Sequence, residues 1–478
     1  MALPIGRLFR TLNCEYFYDA VMHEIIPISE ESACCLDTWF NSSICPPLTD
    51  ELSELLSRGY FSSTSPVAQI EHPYTTFLPL LLDRKLDHIT LQVTQNCNLR
   101  CKYCVYSVGD GEKQRHHSNH RMTWQTAKDA IDFLWLHSID SPKISIGFYG
   151  GEPLLEFELV KKIVEYSRQR FYGKEIQFNI TSNGVLLNDE IIHYFAKNNI
   201  TLMISLDGPK VIHDQNRVFP NGEGTFDTVM KHVEHIHKIE PEYAKTVSFS
   251  MVINPENDFD CMNEINIECS SLSLGNLHAA FVETLDDKEE KVFEDSFLSK
   301  YFYQEFLAWL GYFGRYSSEK VSPIAFQYLL HELGIISKNE ESHALKPIDC
   351  PSGPCVAGRQ RLFCDVKGNL FPCERVNECS EAMMIGSIYN GIDYDATVKL
   401  MNVGQLTADK CKQCWAFRYC TLCAKKADTG AKNLNGEEKL KHCPEAFAAA
   451  YSGLKSIILM HELRTFYPDQ LVQGGDYL

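Results

Sequence analysis

Residues 88–104 read HITLQVTQNCNLRCKYC and join a strand pattern to three closely spaced cysteines. The first half is rich in β-branched and apolar residues, which predicts a β-strand at 88–95. The second half places Cys97, Cys101 and Cys104 in the spacing C-x3-C-x2-C, with no fourth cysteine nearby. Since a tetrahedral zinc ion or a closed iron–sulfur cubane takes four protein ligands, three thiolates would leave one coordination position open. An open position is typical of a catalytic metal centre. The alternative is a zinc knuckle completed by His116 or His117.

Strand and helix patterns alternate after this stretch. Further strands are predicted at 144–151, 176–183, 202–208, 248–254 and 277–285. A helix is predicted behind an N-cap at Thr123, because apolar residues recur at helical spacing at Ala127, Ala130, Ile131, Leu134 and Trp135. Alternation of this kind predicts right-handed βαβ units and a parallel sheet. The sequence therefore predicts an α/β fold, a partial (β/α)6 barrel of the TIM type, with its chemistry at the carboxyl ends of the strands.

Composition narrows the class of protein. The 478 residues include 44% hydrophobic and 23% charged residues, which is ordinary for a core-forming protein. A formal net charge of −18 makes a nucleic acid an improbable main partner. The first residues lack the apolar segment of a secretory signal, and no apolar run approaches the ~18 residues of a membrane span. We therefore expect a cytoplasmic protein without a membrane partner.

The 19 cysteines are unevenly distributed. An odd number in a reducing compartment argues against a disulfide framework. Ten of them lie between Cys350 and Cys443, and this clustering indicates metal ligation. Six scattered cysteines are predicted to be small buried hydrophobic residues: Cys14, Cys34, Cys35, Cys45, Cys261 and Cys269.

Motifs at successive predicted strand ends carry a family resemblance. They are Tyr103 within the cysteine loop, GGEP at 150–153, TSNG at 181–184, SLDGP at 205–209 and HDQNR at 213–217. Together with the three cysteines they resemble the radical S-adenosylmethionine enzyme family. The resemblance extends over roughly residues 88–290 and supports the open metal site over the zinc knuckle.

The resemblance implies a [4Fe-4S] cluster on Cys97, Cys101 and Cys104 whose open iron chelates S-adenosylmethionine. It implies that the residues binding this cofactor are Tyr103, Gly150, Gly151, Glu152, Asn183, Ser205 and Arg217. A glutamate and backbone carbonyls suit the methionine amino group, and an arginine suits a carboxylate. In this family, one electron cleaves the sulfonium bond, and the resulting 5′-deoxyadenosyl radical abstracts a hydrogen atom from a C–H bond.

The cysteine-rich segment at about 345–450 resembles a SPASM domain, which extends radical enzymes that modify peptides. The resemblance implies two auxiliary [4Fe-4S] clusters, and therefore three clusters in all. It assigns Cys350, Cys355, Cys373 and Cys423 to the first auxiliary cluster. It assigns Cys411, Cys414, Cys420 and Cys443 to the second. The sequence departs from the family at Cys420 and Cys423, which are separated by two residues instead of three. Cys364 and Cys379 are left over, either as substitute ligands or as packed thiols.

Two roles are open for the auxiliary clusters. They could accept the surplus electron of an oxidative cross-link, or an open auxiliary iron could bind a substrate thiolate, a soft ligand that suits iron. An electron donor such as flavodoxin or ferredoxin is the implied redox partner.

The first 82 residues are predicted to form a small sheet with helices. The order of the run FYDAVMHEIIPISEE, a helix and ELLSRGYF resembles the winged-helix-like element that recognises leader peptides. An exposed edge strand can capture an extended peptide by strand addition. The alternative is a dimerisation or packing domain. The predicted domains are 1–82 for leader recognition, 85–290 for the partial barrel, 291–344 for a helical bridge and 345–478 for the SPASM segment.

These features predict a maturase that binds a ribosomally made precursor peptide and installs oxidative cross-links, with a thioether from cysteine preferred over a carbon–carbon link. A second enzymatic hypothesis is an enzyme like the anaerobic sulfatase maturases, which form formylglycine. In that family an acidic residue follows the third auxiliary cysteine, and Glu374 takes this place as a candidate general base. A zinc-bound adaptor without catalysis is the third hypothesis, but zinc explains none of the strand-end motifs.

Overall fold

The structure is a computed structural model, and it describes residues 2–104, 117–260, 277–282, 293–317, 320–340 and 344–466. The chain divides into two compact units. The first unit comprises Met1–Phe77, Leu330–Val356 and Val398–Leu478, and the second comprises Leu78–Leu329 and Ala357–Thr397. The first unit thus combines residues from three of the predicted domains, whose division stays a prediction.

The chain up to residue 84 forms short strands and helices, as the sequence predicts for residues 1–82. These elements are β1 (Gly6–Arg10), β2 (Glu15–Asp19), β3 (Glu24–Ile28), α1 (Glu30–Ser42), α2 (Asp50–Ser57), β4 (Gln69–Ile70) and α3 (Leu78–Arg84). The strands β1, β2 and β3 form an antiparallel sheet in that order. Thr49 caps α2, accepting a hydrogen bond from the backbone N–H of Leu52.

Alternating strands and helices follow. They are β5 (His88–Thr94), α4 (Trp124–His137), β6 (Lys143–Gly150), α5 (Phe157–Arg170), β7 (Glu175–Ser182), α6 (Asp189–Asn198), β8 (Ile200–Ser205), α7 (Lys210–Asn216), α8 (Phe226–Ile239), α9 (Pro241–Ala244), β9 (Ser248–Ile253) and β10 (Leu277–Phe281). All six predicted strands are present, and the described part of the last one ends at Phe281. Thr123 caps α4 as predicted.

The rest of the described chain is mostly helical with very short strands. It contains α10 (Asp295–Tyr312), α11 (Pro323–Glu340), β11 (Ile348–Asp349), β12 (Leu362–Cys364), β13 (Leu370–Phe371), β14 (Gly386–Ser387), β15 (Gly391–Ile392), α12 (Tyr394–Met401), α13 (Ala408–Cys411), α14 (Gly436–Lys441) and α15 (Cys443–Phe466). Within the described residues, no helix combines the length and the apolar character needed to cross a bilayer.

One sheet forms the centre of the second unit. Its strand order is β10-β9-β8-β7-β6-β5-β12-β13, and every pair is parallel except β12 and β13. The α/β class with a mostly parallel sheet is therefore confirmed. Because the carboxyl ends of parallel strands lie at one edge, the loops that follow β5, β6, β7 and β8 meet there. The sheet gains β12 and β13, which the sequence analysis did not predict.

The three-stranded sheet of the first unit is covered on both faces. Phe17 is fully buried in a cluster with Leu36 and Trp39 of α1. Its neighbour Tyr18, which points to the opposite face of the strand, packs in a cluster with Leu454 and Ile458 of α15. For these residues the sequence analysis left open a dimerisation or packing domain. The observed contacts support packing, because the sheet contributes to the core of the first unit.

Trp135 of the predicted helix is 37% exposed and lies beneath the guanidinium of Arg170, 3.8 Å from it, because it sits at the edge of the buried face of α4.

The expectation that the scattered cysteines are buried was wrong. Among the scattered cysteines that the structure describes, Cys34 is exposed, and Cys14, Cys35 and Cys45 are only partly buried. Cys261 and Cys269 lie outside the described residues. The winged-helix-like identity of the first unit's sheet stays a prediction.

Candidate active site

The backbone after β6 is bonded directly to the loop that carries the three cysteines. The register between β5 and β6 shifts between Gln92 and Thr94, as in a β-bulge. Beyond this shift, the N–H of Gly151 donates to the carbonyl of Thr94 at 2.9 Å, and the N–H of Glu152 donates to the carbonyl of Asn96 at 2.9 Å. The GGEP motif therefore sets the position at which the cysteine loop leaves the sheet.

Only glycines allow this approach. A Cβ atom at Gly150 would lie 2.1 Å from the carbonyl oxygen of Thr94, and one at Gly151 would lie 2.1 Å from that of Asn96. Gly150 also has a φ of +136°, which other residues rarely adopt. The two glycines are thus explained by backbone packing, independently of any ligand.

Glu152 connects the ends of β6 and β7 through its carboxylate. One carboxylate oxygen accepts hydrogen bonds from the hydroxyl of Ser182 at 2.8 Å and from the N–H of Leu154 at 3.0 Å. The other accepts from the N–H of Asn183 at 2.8 Å. The side chain is 1% exposed, and burial raises the pKa of this carboxyl. The structure therefore uses the Glu152 side chain as a brace between strand ends.

Asn183 extends this connection to the cysteine loop. Its side-chain amide donates to the side-chain oxygen of Asn98 at 2.8 Å, and the amide nitrogen lies 3.9 Å from the sulfur of Cys97. The loop is also held from its other side, because the N–H groups of Arg100 and Lys102 donate to the carbonyls of Val218 and Asn216. The cysteine loop is therefore held by three neighbouring segments.

The three thiols lie close to one another. Burial raises the pKa of Cys97 to about 12, and the nearby charges of Glu152, Cys101 and Cys104 add to this effect. Burial likewise raises the pKa of Cys101 to about 11, while the guanidinium of Arg217 opposes the shift. Thiols of this kind ionise when they bind a metal cation, which replaces the proton.

A buried ion pair forms the floor of the site. The Nε of Arg217 donates to one oxygen of Asp207 at 2.9 Å, and the side chains are 10% and 1% exposed. Tyr103 donates its hydroxyl to the same oxygen, and the guanidinium of Arg217 lies 5.5 Å from the centre of the Tyr103 ring. Burial raises the pKa of the Tyr103 phenol, so this group stays protonated as a donor. Tyr103 and Arg217 are thus brought together by Asp207.

A buried histidine supports this pair from behind. The N–H of Asp207 donates to Nδ1 of His213 at 3.3 Å, which makes Nδ1 the acceptor and Nε2 the protonated nitrogen. Nε2 then donates to the hydroxyl of Thr225 at 2.9 Å, and that hydroxyl donates to the carbonyl of Arg217 at 3.1 Å. The chain of bonds requires a neutral imidazole. Burial lowers the pKa of His213 to about 4, with the charge of Arg217 contributing.

The remaining predicted residue of this set, Ser205, is the last residue of β8 and is half-buried. The sequence analysis missed Asp207, Asn98 and Ser182. Asp207 had a detectable signal, because it is an acidic residue immediately after a strand and is followed by Gly-Pro in the quoted motif SLDGP. Asn98 and Ser182 had none, since polar residues of these types are common in loops.

A second group of cysteines lies together in the first unit. Burial raises the pKa of Cys414 to about 12, and the negative charges of Cys420, Cys411 and Cys443 add to the shift, so all four are neighbours. Burial also raises the pKa values of Cys420 and Cys443, and the charge of Lys439 opposes both shifts. The structure therefore brings together the four residues assigned by resemblance to the second auxiliary cluster.

The set assigned to the first auxiliary cluster is divided between the units. Cys350, Cys355 and Cys423 belong to the first unit, and Cys373 belongs to the second. The loop between Cys350 and Cys355 lies against the backbone preceding Cys423, because a Cβ atom at Gly353 would lie 2.4 Å from the carbonyl carbon of Thr421. Of the two unassigned cysteines, Cys364 is buried in β12 and Cys379 is exposed.

Glu374 occupies a different environment from the one expected for a general base. It is 7% exposed, and Arg361 donates to both of its carboxylate oxygens, through Nε at 3.1 Å and through a terminal nitrogen. A bidentate guanidinium stabilises the charged form of the carboxylate. The role of Glu374 as a base stays a prediction.

The cysteine groups can be compared with the ligand sets of single metal ions and of clusters. Among the described residues, no three His, Cys, Asp or Glu side chains are arranged as ligands of one metal ion. A cubane distributes its thiolate ligands over separate irons, so its ligand set is wider than that of a zinc ion. A further observation concerns charge: the buried ammonium of Lys439 lies 3.4 Å from the sulfur of Cys411. This cation suits a ligand set that carries negative charge.

Comparison with known proteins identifies a domain in the second unit. Residues 91–265 match the family model described as the Radical SAM superfamily. The chain is 31% identical to the serine-type anaerobic sulfatase-maturating enzyme of Bacteroides thetaiotaomicron, over 30% of this chain and 34% of that enzyme. It is 25% identical to the radical SAM cyclopropyl synthase TigE of Paramaledivibacter caminithermalis, over 54% of this chain and 55% of that enzyme. The matched regions thus cover less than two thirds of these relatives.

The fold resembles a solved enzyme over most of the chain. The structure of native anSMEcpe with bound AdoMet aligns with a TM-score of 0.56 and 21% identity, covering 77% of this chain and 98% of that one. At this identity the likeness concerns the fold. The match agrees with the α/β fold and its mostly parallel sheet.

We predict that Asp207→Asn destabilises the second unit. The substitution removes the negative charge that balances Arg217 and leaves a buried guanidinium without its partner, which costs about 3–5 kcal/mol. The free energy of unfolding, measured by urea denaturation, should fall by that amount. Asp227→Asn is the control, since it removes an exposed ion pair with Lys210 and should leave stability almost unchanged. Equal stability of the two variants would contradict the proposed role of Asp207.

A pH dependence follows from His213. The pKa of His213 is about 4 in the folded protein and 6.5 in the unfolded chain. Between these pH values the unfolded chain therefore binds one more proton than the folded protein. Folding stability should therefore fall as the pH is lowered from 6.5 to 4, with His213 contributing about 3 kcal/mol at ~1.4 kcal/mol per pH unit. His213→Gln should reduce the slope of unfolding free energy against pH in this window. Coincident slopes for the two proteins would show that the histidine is not held neutral.

Proposed function

We propose, on the premise that this chain is a radical SAM enzyme with its domain at residues 91–265, that it cross-links a ribosomally made precursor peptide. The preferred product is a thioether between a cysteine sulfur and a carbon of the same peptide. The observation that carries this proposal is the presence of two separate groups of neighbouring thiols. One is the trio at the sheet edge, and the other is the group of four in the first unit.

Cys97, Cys101 and Cys104 would hold the cluster that binds S-adenosylmethionine. When bound, the cluster and S-adenosylmethionine together would supply a 5′-deoxyadenosyl radical, which removes a hydrogen atom from a C–H bond. The residues around the trio fix its position: Gly150 and Gly151 by close backbone contact, and Asn183 through Asn98. Arg217 is held by Asp207 through Nε, and the rest of its guanidinium is suited to bind a carboxylate bidentately. Ser205, at the end of β8, is proposed to contact the ribose.

The second thiol group supports an oxidative reaction. Replacing an S–H and a C–H bond by one S–C bond removes two hydrogen atoms from the peptide. One leaves with the adenosyl group, and the other leaves as a proton and an electron that require an acceptor. We propose that Cys411, Cys414, Cys420 and Cys443 hold an auxiliary [4Fe-4S] cluster with this function, and that Cys350, Cys355, Cys373 and Cys423 hold another. A small electron-transfer protein, flavodoxin or ferredoxin, completes the electron path.

Leader binding is proposed at the sheet of the first unit. Among the strands that the structure describes, β3 pairs only with β2, so it offers an edge for strand addition. A cavity of about 770 Å³ adjoins it, lined by Ile25 and Pro27 of β3, Tyr16 and Tyr18 of β2, and Ile457 and His461 of α15. Apolar and aromatic walls with a few polar groups suit an amphipathic peptide segment.

Formylglycine formation is the second candidate, because sulfatase-maturating enzymes are among the relatives. Those relatives match 30% and 34% of this chain, and the bidentate contact between Glu374 and Arg361 gives the candidate base a cationic partner. A carbon–carbon link is a third possibility, since the same radical could attack another carbon.

The function is tested by incubating the anaerobically prepared, reduced enzyme with S-adenosylmethionine and a cysteine-containing precursor peptide. We expect the peptide to lose two hydrogen atoms per link, with one cysteine per link no longer alkylated by iodoacetamide. Cys101→Ala, which removes one ligand of the trio, should abolish both changes. Unchanged peptide mass with continued formation of 5′-deoxyadenosine would contradict the proposal. Loss of sulfur from a cysteine would indicate formylglycine formation. A cross-linked peptide that keeps all its free thiols would indicate a carbon–carbon link. A colourless protein that contains zinc would support the adaptor hypothesis.

The same assay tests the leader site with a point variant. Deleting residues 1–77 is unsuitable, because it would expose Leu454 and Ile458 of α15 and destabilise the first unit. Ile25→Glu places a charge in the cavity and should weaken binding of a fluorescently labelled precursor at least tenfold. Ile44→Glu is the control, since Ile44 is 73% exposed and does not line the cavity. Equal affinities of the two variants would argue against leader binding at this cavity.

A further inference from the structure

A fully buried lysine lies beside the four-cysteine group of the first unit. Lys439 belongs to α14 and is 2% exposed. Lysine is almost never buried to this extent without an anionic partner, because removing an ammonium from water is costly. The contacts of this side chain therefore require an explanation.

Lys439 points at a cysteine sulfur and not at a carboxylate. Its Nζ donates to the hydroxyl of Thr407 at 2.8 Å and lies 3.4 Å from the sulfur of Cys411. The hydroxyl of Thr407 is itself 3.2 Å from that sulfur. In the described part of the chain, no carboxylate forms an ion pair with Lys439. Two neighbouring lysines differ in this respect, since Lys441 pairs with Glu438 at 2.6 Å and Lys426 pairs with Glu445 at 3.2 Å.

The position of Lys439 is fixed by the start of its helix. The side chain of Asn435 caps α14, accepting hydrogen bonds from the N–H groups of Glu437 at 2.8 Å and Glu438 at 3.1 Å. Gly436 lets the helix approach the segment that carries Thr407, because a Cβ atom there would lie 2.9 Å from the carbonyl oxygen of Leu406. Lys439 thus reaches Cys411 from a held backbone and not as a mobile surface side chain.

The missing carboxylate indicates what balances the charge. Four neutral thiols would leave the ammonium without compensation, and an uncompensated buried charge is strongly destabilising. Four thiolates around an iron–sulfur core carry net negative charge and would provide the partner. When such a cluster gains an electron its negative charge increases, and a fixed cation nearby stabilises the reduced form. Net charge and hydrogen bonds to the sulfurs are the factors through which a protein sets the reduction potential of a cluster.

We propose that Lys439, together with Thr407, raises the reduction potential of the second auxiliary cluster and so makes it the preferred acceptor of the electron released in cross-linking. This inference rests on the proposed function, because it requires a cluster on Cys411, Cys414, Cys420 and Cys443. The reaction concerned is a one-electron transfer to the cluster, in which no protein bond forms or breaks. Lys439 is a positioning residue, since it touches a ligand and not the substrate.

The test is a potentiometric titration of the anaerobically prepared holoprotein, followed by electron paramagnetic resonance. Lys439→Met removes the charge and keeps most of the side-chain volume. We expect iron content equal to that of the unmodified protein, and one cluster whose equilibrium constant for reduction falls at least tenfold, which is 59 mV for one electron. Thr407→Val should shift the same cluster in the same direction by a smaller amount. The affected signal should be the one that is lost in Cys414→Ala.

Two controls separate charge from structure. Lys441→Met alters an exposed lysine of the same helix and should leave all potentials unchanged. Lys439→Arg keeps the positive charge and should keep the potential near that of the unmodified protein. If Lys439→Met does not fold, the Thr407→Val shift and the retained potential of Lys439→Arg carry the test.

Unchanged potentials in Lys439→Met and Thr407→Val, with full iron content, would overturn the inference while leaving the proposed function intact. A second result would also overturn the inference. Lys439→Met would lose the iron of one cluster, while the potentials of its remaining clusters and those of Thr407→Val stay unchanged. Lys439 would then be needed for assembly of the cluster and not for its potential. An unmodified protein without this cluster would instead overturn the proposed function itself.

Discussion

Close backbone contact between two loops determines where the chemistry of this protein is placed. The hydrogen bonds from Gly151 and Glu152 to the carbonyls of Thr94 and Asn96 attach the cysteine loop to the neighbouring strand end. They require glycine at 150 and 151, since any Cβ atom would collide with a carbonyl oxygen. The braces at Glu152, Asn183 and Asp207 then hold the adjoining strand ends in place. Together with the backbone bonds from Arg100 and Lys102 to Val218 and Asn216, this contact fixes the position of the three thiols relative to Arg217.

Three buried ionisable side chains lie at the two thiol groups, and two of them are compensated by residues of the chain itself. Glu152 is compensated by three hydrogen bonds, and Arg217 by the carboxylate of Asp207. Lys439 follows the same rule only if its partner is the anionic ligand set at Cys411. Because a protein rarely retains a buried ion without compensation, such an ion indicates the charge of a group that binds beside it. Each of the two thiol groups lies beside a buried cation, Arg217 at the trio and Lys439 at the group of four.

The sequence was sufficient for the parts of the fold that have strong local patterns. The six strands and the N-cap at Thr123 follow from periodicity and capping patterns. The grouping of Cys411, Cys414, Cys420 and Cys443 was implied only by the resemblance to the SPASM domain. The two- and three-residue strands β12 and β13 could not be predicted, because segments of this length have no periodicity. Asp207 was missed because its role depends on contacts with Arg217 and with Tyr103, and Tyr103 lies far from it along the chain. The buried contact of Lys439 was equally invisible, because only tertiary packing places this helix beside Cys411.

The central claim is that a cluster on Cys97, Cys101 and Cys104 keeps an open iron for S-adenosylmethionine. The most direct measurement is electron–nuclear double resonance on the reduced protein with S-adenosylmethionine labelled with 15N at the methionine amino group. The account predicts a hyperfine coupling between this nitrogen and the cluster, and its loss in Cys101→Ala. A cluster signal that is unchanged by S-adenosylmethionine and shows no coupling to the label would contradict the account.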